Sequence, residues 1–140
     1  MRHLTLLLVT AILPFAAMTP TVAAEPTVAK AAATAASDIS KADLDAAIKA
    51  KTVTLLDCNG TDSYAAGHIP GAIDFTAHGK DLAAHLPKDK AALVVSYCGG
   101  PKCGAHEAGT EAAKALGYTN VKYFSEGISG WTKAGGSVEK

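Results

Sequence analysis

The stretch Ala92-Leu-Val-Val-Ser-Tyr-Cys98, followed by Gly99-Gly-Pro-Lys-Cys-Gly104, decides the fold. The apolar run Leu93–Tyr97 predicts a strand at the centre of a parallel sheet that is covered on both faces. A helix is predicted over residues 105–116, with Gly117 as its C-cap, so the glycine-rich segment forms a strand-to-helix turn. A thiol at such a turn meets converging backbone N–H groups and the positive end of a helix dipole. Both favour the reactive thiolate form of cysteine.

Strands and helices alternate outward from this stretch in both directions. Further strands are predicted at residues 53–57, 72–75 and 121–124, and further helices after the N-cap Ser40 and at residues 62–66, 80–86 and 128–134. This alternation predicts an α/β domain with a mainly parallel sheet. The functional crevice of such a sheet lies at the carboxyl ends of its strands, where Asp57-Cys58 and Tyr97-Cys98 both fall.

The chain of 140 residues is long enough for one domain. A basic start, an apolar segment at residues 4–17 and the small residues 22–24 predict a secretory signal peptide over residues 1–24. Residues 25–37 are predicted to be a flexible linker, and residues 38–140 the folded domain. We therefore expect a periplasmic or secreted protein with no stable membrane insertion after signal cleavage. An uncleaved N-terminal anchor is the alternative.

Charge and composition argue against a nucleic-acid partner and against oxyanion binding by arginine. After residue 24 the chain carries 12 lysines, no arginine and 13 acidic residues, a net charge near −1. No basic cluster is visible, so a nucleic acid is not expected as a partner. The only arginine, Arg2, lies in the predicted signal peptide. The lack of arginine in the predicted domain argues against a mechanism that binds an oxyanion with a guanidinium group. Neither a cofactor nor a resident metal is expected.

Four segments of the sequence, in the same order, resemble the signatures of single-domain rhodaneses, which are sulfurtransferases. They are Leu55-Leu-Asp57 with Tyr64-Ala-Ala-Gly-His-Ile-Pro-Gly-Ala72, then Val94-Val-Ser-Tyr-Cys98, Leu116-Gly-Tyr-Thr-Asn-Val121 and Glu126-Gly-Ile-Ser-Gly-Trp131. The resemblance runs from about Ser40 to the C-terminus. It implies a three-layer rhodanese-like fold, in which helices flank a five-stranded, mainly parallel sheet.

The resemblance also implies that Cys98 is the catalytic nucleophile, at the base of a cradle-shaped loop. Cys98 would take sulfane sulfur from a small donor (thiosulfate or a persulfide), become a persulfide, and pass the sulfur to a thiol or cyanide acceptor. The N–H groups of the loop would hold the transferred sulfur as they hold an anion. The substrate-binding residues are then Gly99, Gly100, Pro101, Lys102, Cys103 and Gly104. Such a site is expected to lower the pKa of Cys98 from ~8.5 into the ~3.5–7.5 range.

The loop departs from the family pattern in its charges. Arginine is common in family loops, whereas Lys102 is the only fixed charge here, and Asn59 stands where the family often has arginine. Pro101 also removes one N–H donor from the cradle. Because lysine cannot grip an oxyanion with two parallel hydrogen bonds, persulfide chemistry is better supported than thiosulfate as the donor. No arginine follows Cys103, where the sequence has Gly104, Ala105 and His106. This absence argues against the related phosphatases.

Four residues expected near Cys98 each allow more than one interpretation. Cys103 is either a resolving thiol, a small residue that simply fits, or a metal ligand together with Cys98, His106 and Cys58. Cys58 is either a buried, hydrophobe-like residue or a redox partner of Cys98. Asp57 either holds the active-site loop through backbone N–H groups or caps its strand, and a surface position is the default for His106. The alternative function is therefore a thiol redox or thiophilic-metal module that uses Cys58, Cys98 and Cys103.

Overall fold

The computed structural model describes residues 35–140, so the predicted signal peptide and residues 25–34 of the predicted linker lie outside the described residues. The strands are β1 (Ser37–Asp38), β2 (Val53–Asp57), β3 (Ala72–Asp74), β4 (Leu93–Tyr97) and β5 (Val121–Phe124). The helices are α1 (Lys41–Lys49), α2 (Thr61–Ala66), α3 (Phe75–His78), α4 (Leu82–His85), α5 (His106–Ala115) and α6 (Gly127–Lys133). Within this part of the chain, no helix combines the length and the apolar character needed to cross a bilayer.

The five strands form one sheet in the order β1-β5-β4-β2-β3, and every pairing is parallel. The predicted five-stranded α/β fold is therefore confirmed. In register, Asp57 at the end of β2 pairs with Tyr97 at the end of β4, and Tyr97 pairs with Phe124 at the end of β5. The residues that follow these strand ends, including Cys58 and Cys98, consequently meet at one edge of the sheet.

Side chains of successive strand residues enter two different cores, one on each face of the sheet. Leu55 and Val95 pack in the core that contains Leu44 of α1 and Trp131 of α6. Their neighbours Leu56 and Val94 pack in the core that contains Leu82 of α4 and Ala113 of α5. Helices therefore cover both faces of the sheet, which gives the predicted three layers and explains why β4 is mainly apolar on both of its faces.

Three boundaries differ from the sequence prediction. Strand β1 lies at the end of the predicted linker, where Ser37 pairs with Lys122 of β5. The strand predicted over residues 72–75 ends at Asp74, because the Asp74 carboxylate caps α3 by accepting from the N–H groups of Thr76 and Ala77. The helix predicted over residues 80–86 is present only over Leu82–His85, as α4, and the short helix α3 precedes it. By contrast, the predicted N-cap is confirmed, since Ser40 accepts from the N–H of Asp43.

Candidate active site

Cys98 directly follows β4, the middle strand of the sheet, and is only 1% exposed. Its thiol donates a hydrogen bond to the carbonyl oxygen of Cys103, with a sulfur–oxygen distance of 3.0 Å. The backbone N–H groups of Gly100 and His106 also interact with the sulfur and favour its ionised form. The sulfur therefore lies on the floor of the loop, within reach of donors from both ends of that loop.

The loop between Cys98 and α5 forms a shallow, open cavity of about 470 Å³. Its lining is the segment Gly99, Gly100, Pro101, Lys102 and Cys103. The loop is closed by a turn in which the N–H of Cys103 donates to the carbonyl of Gly100 at 2.9 Å. The structure thus brings together most of the predicted substrate-binding residues, with Lys102 exposed at the rim and Gly104 exposed just before α5.

The first turn of helix α6 forms hydrogen bonds with the backbone of the loop. The N–H groups of Ile128 and Ser129 donate to the carbonyls of Cys98 and Gly99, at 2.9 and 3.1 Å. Gly127 lies so close that an added Cβ would be 2.6 Å from the nitrogen of Gly100. Because these carbonyls face α6, the loop shape is fixed by a helix that begins almost 30 residues later. Sequence reasoning did not assign these α6 residues to the site, although their segment was one of the four family-like signatures.

His106 lies beside Cys98 and is partly buried. Its Nδ1 is 3.1 Å from the carbonyl oxygen of Cys103 and 3.6 Å from the sulfur of Cys98. A carbonyl only accepts hydrogen bonds, so the contact makes Nδ1 the protonated ring nitrogen. The ring is partly buried and stacks on Tyr123, with 4.9 Å between ring centroids. His106 is therefore oriented to donate a hydrogen bond toward Cys98 when its sulfur carries charge.

The two loop cysteines differ in acidity, and the prediction of a lowered pKa for Cys98 is wrong. Burial raises the pKa of Cys98, and the neighbouring Cys103 raises it further. The pKa of Cys103 is lowered instead, chiefly by the Cys98 thiol and then by the backbone N–H of Ala105. The two thiols therefore interact, which moves the pKa of Cys98 upward and the pKa of Cys103 downward.

Cys58 has the environment of a packing residue. It is 8% exposed and lies in the same core as Leu56 and Cys98, with its sulfur against Gly109 of α5. Burial raises the pKa of Cys58 to about 12, so its thiol stays protonated at physiological pH. All three cysteines are free thiols in the structure. These contacts favour the buried, hydrophobe-like interpretation of Cys58 over a redox role.

Asp57 acts at its own strand end and not on the active-site loop. One carboxylate oxygen accepts from the backbone and side-chain N–H groups of Asn59, at 2.8 and 2.7 Å. The other accepts from the hydroxyl of Tyr97 at 2.7 Å, and that hydroxyl accepts from the N–H of Ile69. The strand-cap interpretation is therefore the one that the geometry favours. The role of Tyr97 could not be read from sequence, since its partner is 40 residues away.

The arrangement does not favour the metal alternative at the loop. Within residues 35–140, the one group of three or more histidine, cysteine or acidic side chains whose ligand atoms lie within 4.8 Å of one another is elsewhere, on α3 and α4. Cys58, Cys98, Cys103 and His106 do not form such a group. Open backbone donors around a buried sulfur are instead the geometry expected of a site that holds an anionic sulfur species.

The chain is similar to known proteins in sequence and in fold. The chain is 35% identical over 103 residues to the HTH-type transcriptional regulator Rv0324 of Mycobacterium tuberculosis, an alignment that covers 73% of this chain and 44% of that protein. The chain therefore spans less than half the length of this relative. The crystal structure of the BH2092 protein from Bacillus halodurans matches with a TM-score of 0.64 and 27% identity, over 74% of this chain and 77% of that one.

A thiosulfate sulfurtransferase from Pseudomonas aeruginosa matches with a TM-score of 0.59 and 25% identity, over 74% of this chain and 20% of that one. The family description "Rhodanese-like domain" matches residues 40–134, which includes the whole loop and α6. The sheet order, the position of Cys98 and this match lead to one conclusion. The chain belongs to the rhodanese-like domain family.

Proposed function

We propose that this protein is a sulfurtransferase that carries sulfane sulfur as a persulfide on Cys98. The observation that carries the proposal is the position of the Cys98 sulfur, on the floor of a loop whose N–H groups at Gly100 and His106 interact with it. Likeness to a thiosulfate sulfurtransferase supports the same reaction class. A terminal persulfide sulfur carries negative charge, and the cavity above Cys98 offers it backbone donors in place of water.

The reaction consists of two sulfur transfers. In the first, the Cys98 thiolate attacks the sulfane sulfur of a donor; with thiosulfate, the S–S bond breaks and sulfite leaves with the electron pair. In the second, an acceptor such as cyanide or a thiolate attacks the outer sulfur of the persulfide, and the Cys98 thiolate is regenerated. No cofactor takes part, because both steps are nucleophilic displacements at sulfur.

The first step requires the Cys98 thiol to lose its proton. Burial keeps this thiol protonated, while Cys103 ionises more readily in the same loop. We expect the rate of persulfide formation to rise with pH as the pair of thiols loses its second proton. His106 supports the ionised state, since its Nδ1–H lies 3.6 Å from the sulfur.

The loop is better suited to a thiol-linked donor than to tight capture of thiosulfate. Lys102 is the only cation in the lining of the cavity, and it is exposed at its rim. A single ammonium group attracts a dianion as a point charge but does not fix its orientation. We therefore propose a persulfide of low molecular mass or of a partner protein as the donor, a thiol as the acceptor, and a periplasmic or secreted location. Fractionation of cells would test that location.

Intact-mass measurement after treatment with thiosulfate, and separately with a small persulfide, tests the proposal. We expect the wild-type protein to gain one sulfur atom and to lose it again on addition of cyanide or a thiol. Cys98→Ala should gain none, whereas the matched variant Cys58→Ala should gain sulfur as the wild type does. A sulfur adduct that persists in Cys98→Ala would overturn the assignment of the nucleophile, and no adduct with any donor would overturn the reaction class.

A second candidate function is specifically favoured by Cys103. The ionised thiol of Cys103 can attack the inner sulfur of a Cys98 persulfide, which forms a Cys98–Cys103 disulfide and releases hydrosulfide. The lowered pKa of Cys103 and its place in the same loop supply the nucleophile for this step. Release of sulfide by the wild type but not by Cys103→Ser, with a disulfide found by peptide mapping, would support it. A stable persulfide in the wild type, with no sulfide released, would exclude it.

A further inference from the structure

Two histidines and an aspartate converge on the surface at the junction of α3 and α4. The Nδ1 atom of His78 is 3.7 Å from one carboxylate oxygen of Asp81, and the Nε2 atom of His85 is 3.2 Å from the other oxygen. The two imidazole rings are also neighbours, with 4.1 Å between their centroids. One ligand atom from each residue lies within 4.8 Å of the other two.

The Asp81 carboxylate turns toward the histidines and away from the helix that it precedes. Asp81 is the N-cap residue of α4, yet its side chain makes no capping hydrogen bond. Asp74, in the equivalent place before α3, does cap its helix through one carboxylate oxygen. An aspartate at an N-cap ordinarily accepts from the exposed N–H groups of its helix. In this cluster the carboxylate instead faces two imidazole nitrogens.

We propose that His78, Asp81 and His85 form a binding site for a divalent transition-metal ion, Zn²⁺ in the first instance. Imidazole nitrogen and carboxylate oxygen are ligands that suit Zn²⁺, which binds each of them at about 2.0–2.2 Å. In a tetrahedral site those bond lengths place neighbouring ligand atoms roughly 3.3 Å apart. The two nitrogen–oxygen distances, 3.7 Å from His78 to one carboxylate oxygen and 3.2 Å from His85 to the other, lie close to that spacing when both oxygens of Asp81 face the ion. Water completes the coordination.

The backbone holds the three ligands in place. The N–H of Asp81 donates to the carbonyl of His78 at 3.1 Å, which closes the turn between the two helices. Leu82 and Leu86 anchor α4 in the core, at 2% and 7% exposed. The histidine side chains remain 42% and 34% exposed, so an ion and its water ligand reach them from solvent. Binding therefore needs only small side-chain adjustments on an anchored segment.

Calorimetric titration of the full chain with zinc chloride tests the site. Because free thiolates are also zinc ligands, the titration uses a Cys98→Ser/Cys103→Ser background, in which neither loop thiol can compete and the proposed sulfur chemistry is absent. We expect one zinc ion per chain. His78→Gln, Asp81→Asn and His85→Gln should each weaken binding at least about tenfold, because even partners outside the coordination sphere change affinity by that factor. Asp45→Asn, which removes an exposed carboxylate paired with Lys49, is the charge-matched control and should bind as the parent does.

Histidine NMR signals give a second readout that does not depend on the folding of a variant. Zinc should shift or broaden the ring signals of His78 and His85 while those of His68 and His106 stay in place. Unchanged signals for His78 and His85 at saturating zinc would overturn the proposal, as would equal affinities for the parent and Asp81→Asn. Neither outcome depends on whether Cys98 carries sulfur, so the two proposals stand or fall separately.

Discussion

Replacing Gly109 by alanine tests whether Cys58 is a packing residue. An alanine Cβ at position 109 would lie 2.7 Å from the sulfur of Cys58 and 3.2 Å from Cβ of Ser96. Comfortable contacts between carbon atoms lie near 3.5–4.0 Å, so the overlap with sulfur is about 1 Å. Overpacking of this kind costs about 1–3 kcal/mol, while alanine in place of glycine inside a helix returns about 1 kcal/mol. Gly109→Ala alone is therefore expected to lower the free energy of unfolding by about 0–2 kcal/mol.

The double variant Gly109→Ala/Cys58→Ala isolates the clash. Removing the sulfur opens the space that the new methyl group needs. In a double-mutant cycle the helix propensity of alanine and the intrinsic cost of losing the sulfur cancel, since each is present in a single variant. We expect a favourable coupling energy of about 1–2 kcal/mol, because the overlap with sulfur is the larger of the two clashes.

Urea unfolding of the four proteins measures the coupling energy, and intact mass after sulfur donor measures function. If the effects on unfolding add to within about 0.5 kcal/mol, the packing argument is refuted. Loss of the Cys98 persulfide in a folded Cys58→Ala variant would refute it differently, by showing that the Cys58 thiol takes part in the chemistry. The expected result is strong coupling in stability together with an intact persulfide.

Three further predictions concern the loop. Cys98→Ser should raise the pKa of Cys103 and Cys103→Ser should lower that of Cys98, measured by thiolate absorbance against pH; unchanged values would show that the two thiols do not interact. Gly127→Ala should destabilise the fold by about 2–5 kcal/mol and slow persulfide formation, since its φ of +58° is unfavourable for alanine and its Cβ meets the loop backbone. Gly135→Ala, with a φ of +79° and open space around it, should cost only about 1–2 kcal/mol, and equal losses of stability would contradict the clash. Lys102→Ala should raise KM for thiosulfate up to about fivefold with little change in kcat, and the effect should shrink as salt is added; a loss confined to kcat would contradict a steering role.

The sheet was predictable because its central strands are mainly apolar. The strands β4 (Leu93–Tyr97) and β2 (Val53–Asp57) lie between two helical layers. Burial on both faces requires mostly apolar side chains, and these are visible in the sequence. Strand β1 was missed because two residues carry no periodic pattern, and its pairing with β5 depends on a partner far along the chain. The helix predicted over residues 80–86 is present but shorter, as α4, whereas α3 was missed because the carboxylate of Asp74 starts a separate helix directly after β3.

The candidate site was only partly predictable, since its chemistry depends on burial and on distant partners. The position of Cys98 at a strand-to-helix turn could be read from local sequence, and the structure places it there. Its acidity could not, because an exposed fraction of 1% outweighs the nearby N–H donors. The same limit applies to Asp57, whose partner Tyr97 is adjacent only through sheet pairing. The convergence of His78, Asp81 and His85 could not be predicted from sequence, because it depends on the turn between α3 and α4.

The hold of α6 on the loop has a consequence for when the protein becomes reactive. The carbonyls of Cys98 and Gly99 are fixed by Ile128 and Ser129, and the N–H of Glu139 pairs with the carbonyl of His68 near the very end of the chain. A partly synthesised or partly folded chain therefore contains Cys98 as an ordinary thiol with no cradle around it. The loop can therefore hold a persulfide, as we propose, only after α6 has packed against it, so completion of the fold must precede that chemistry.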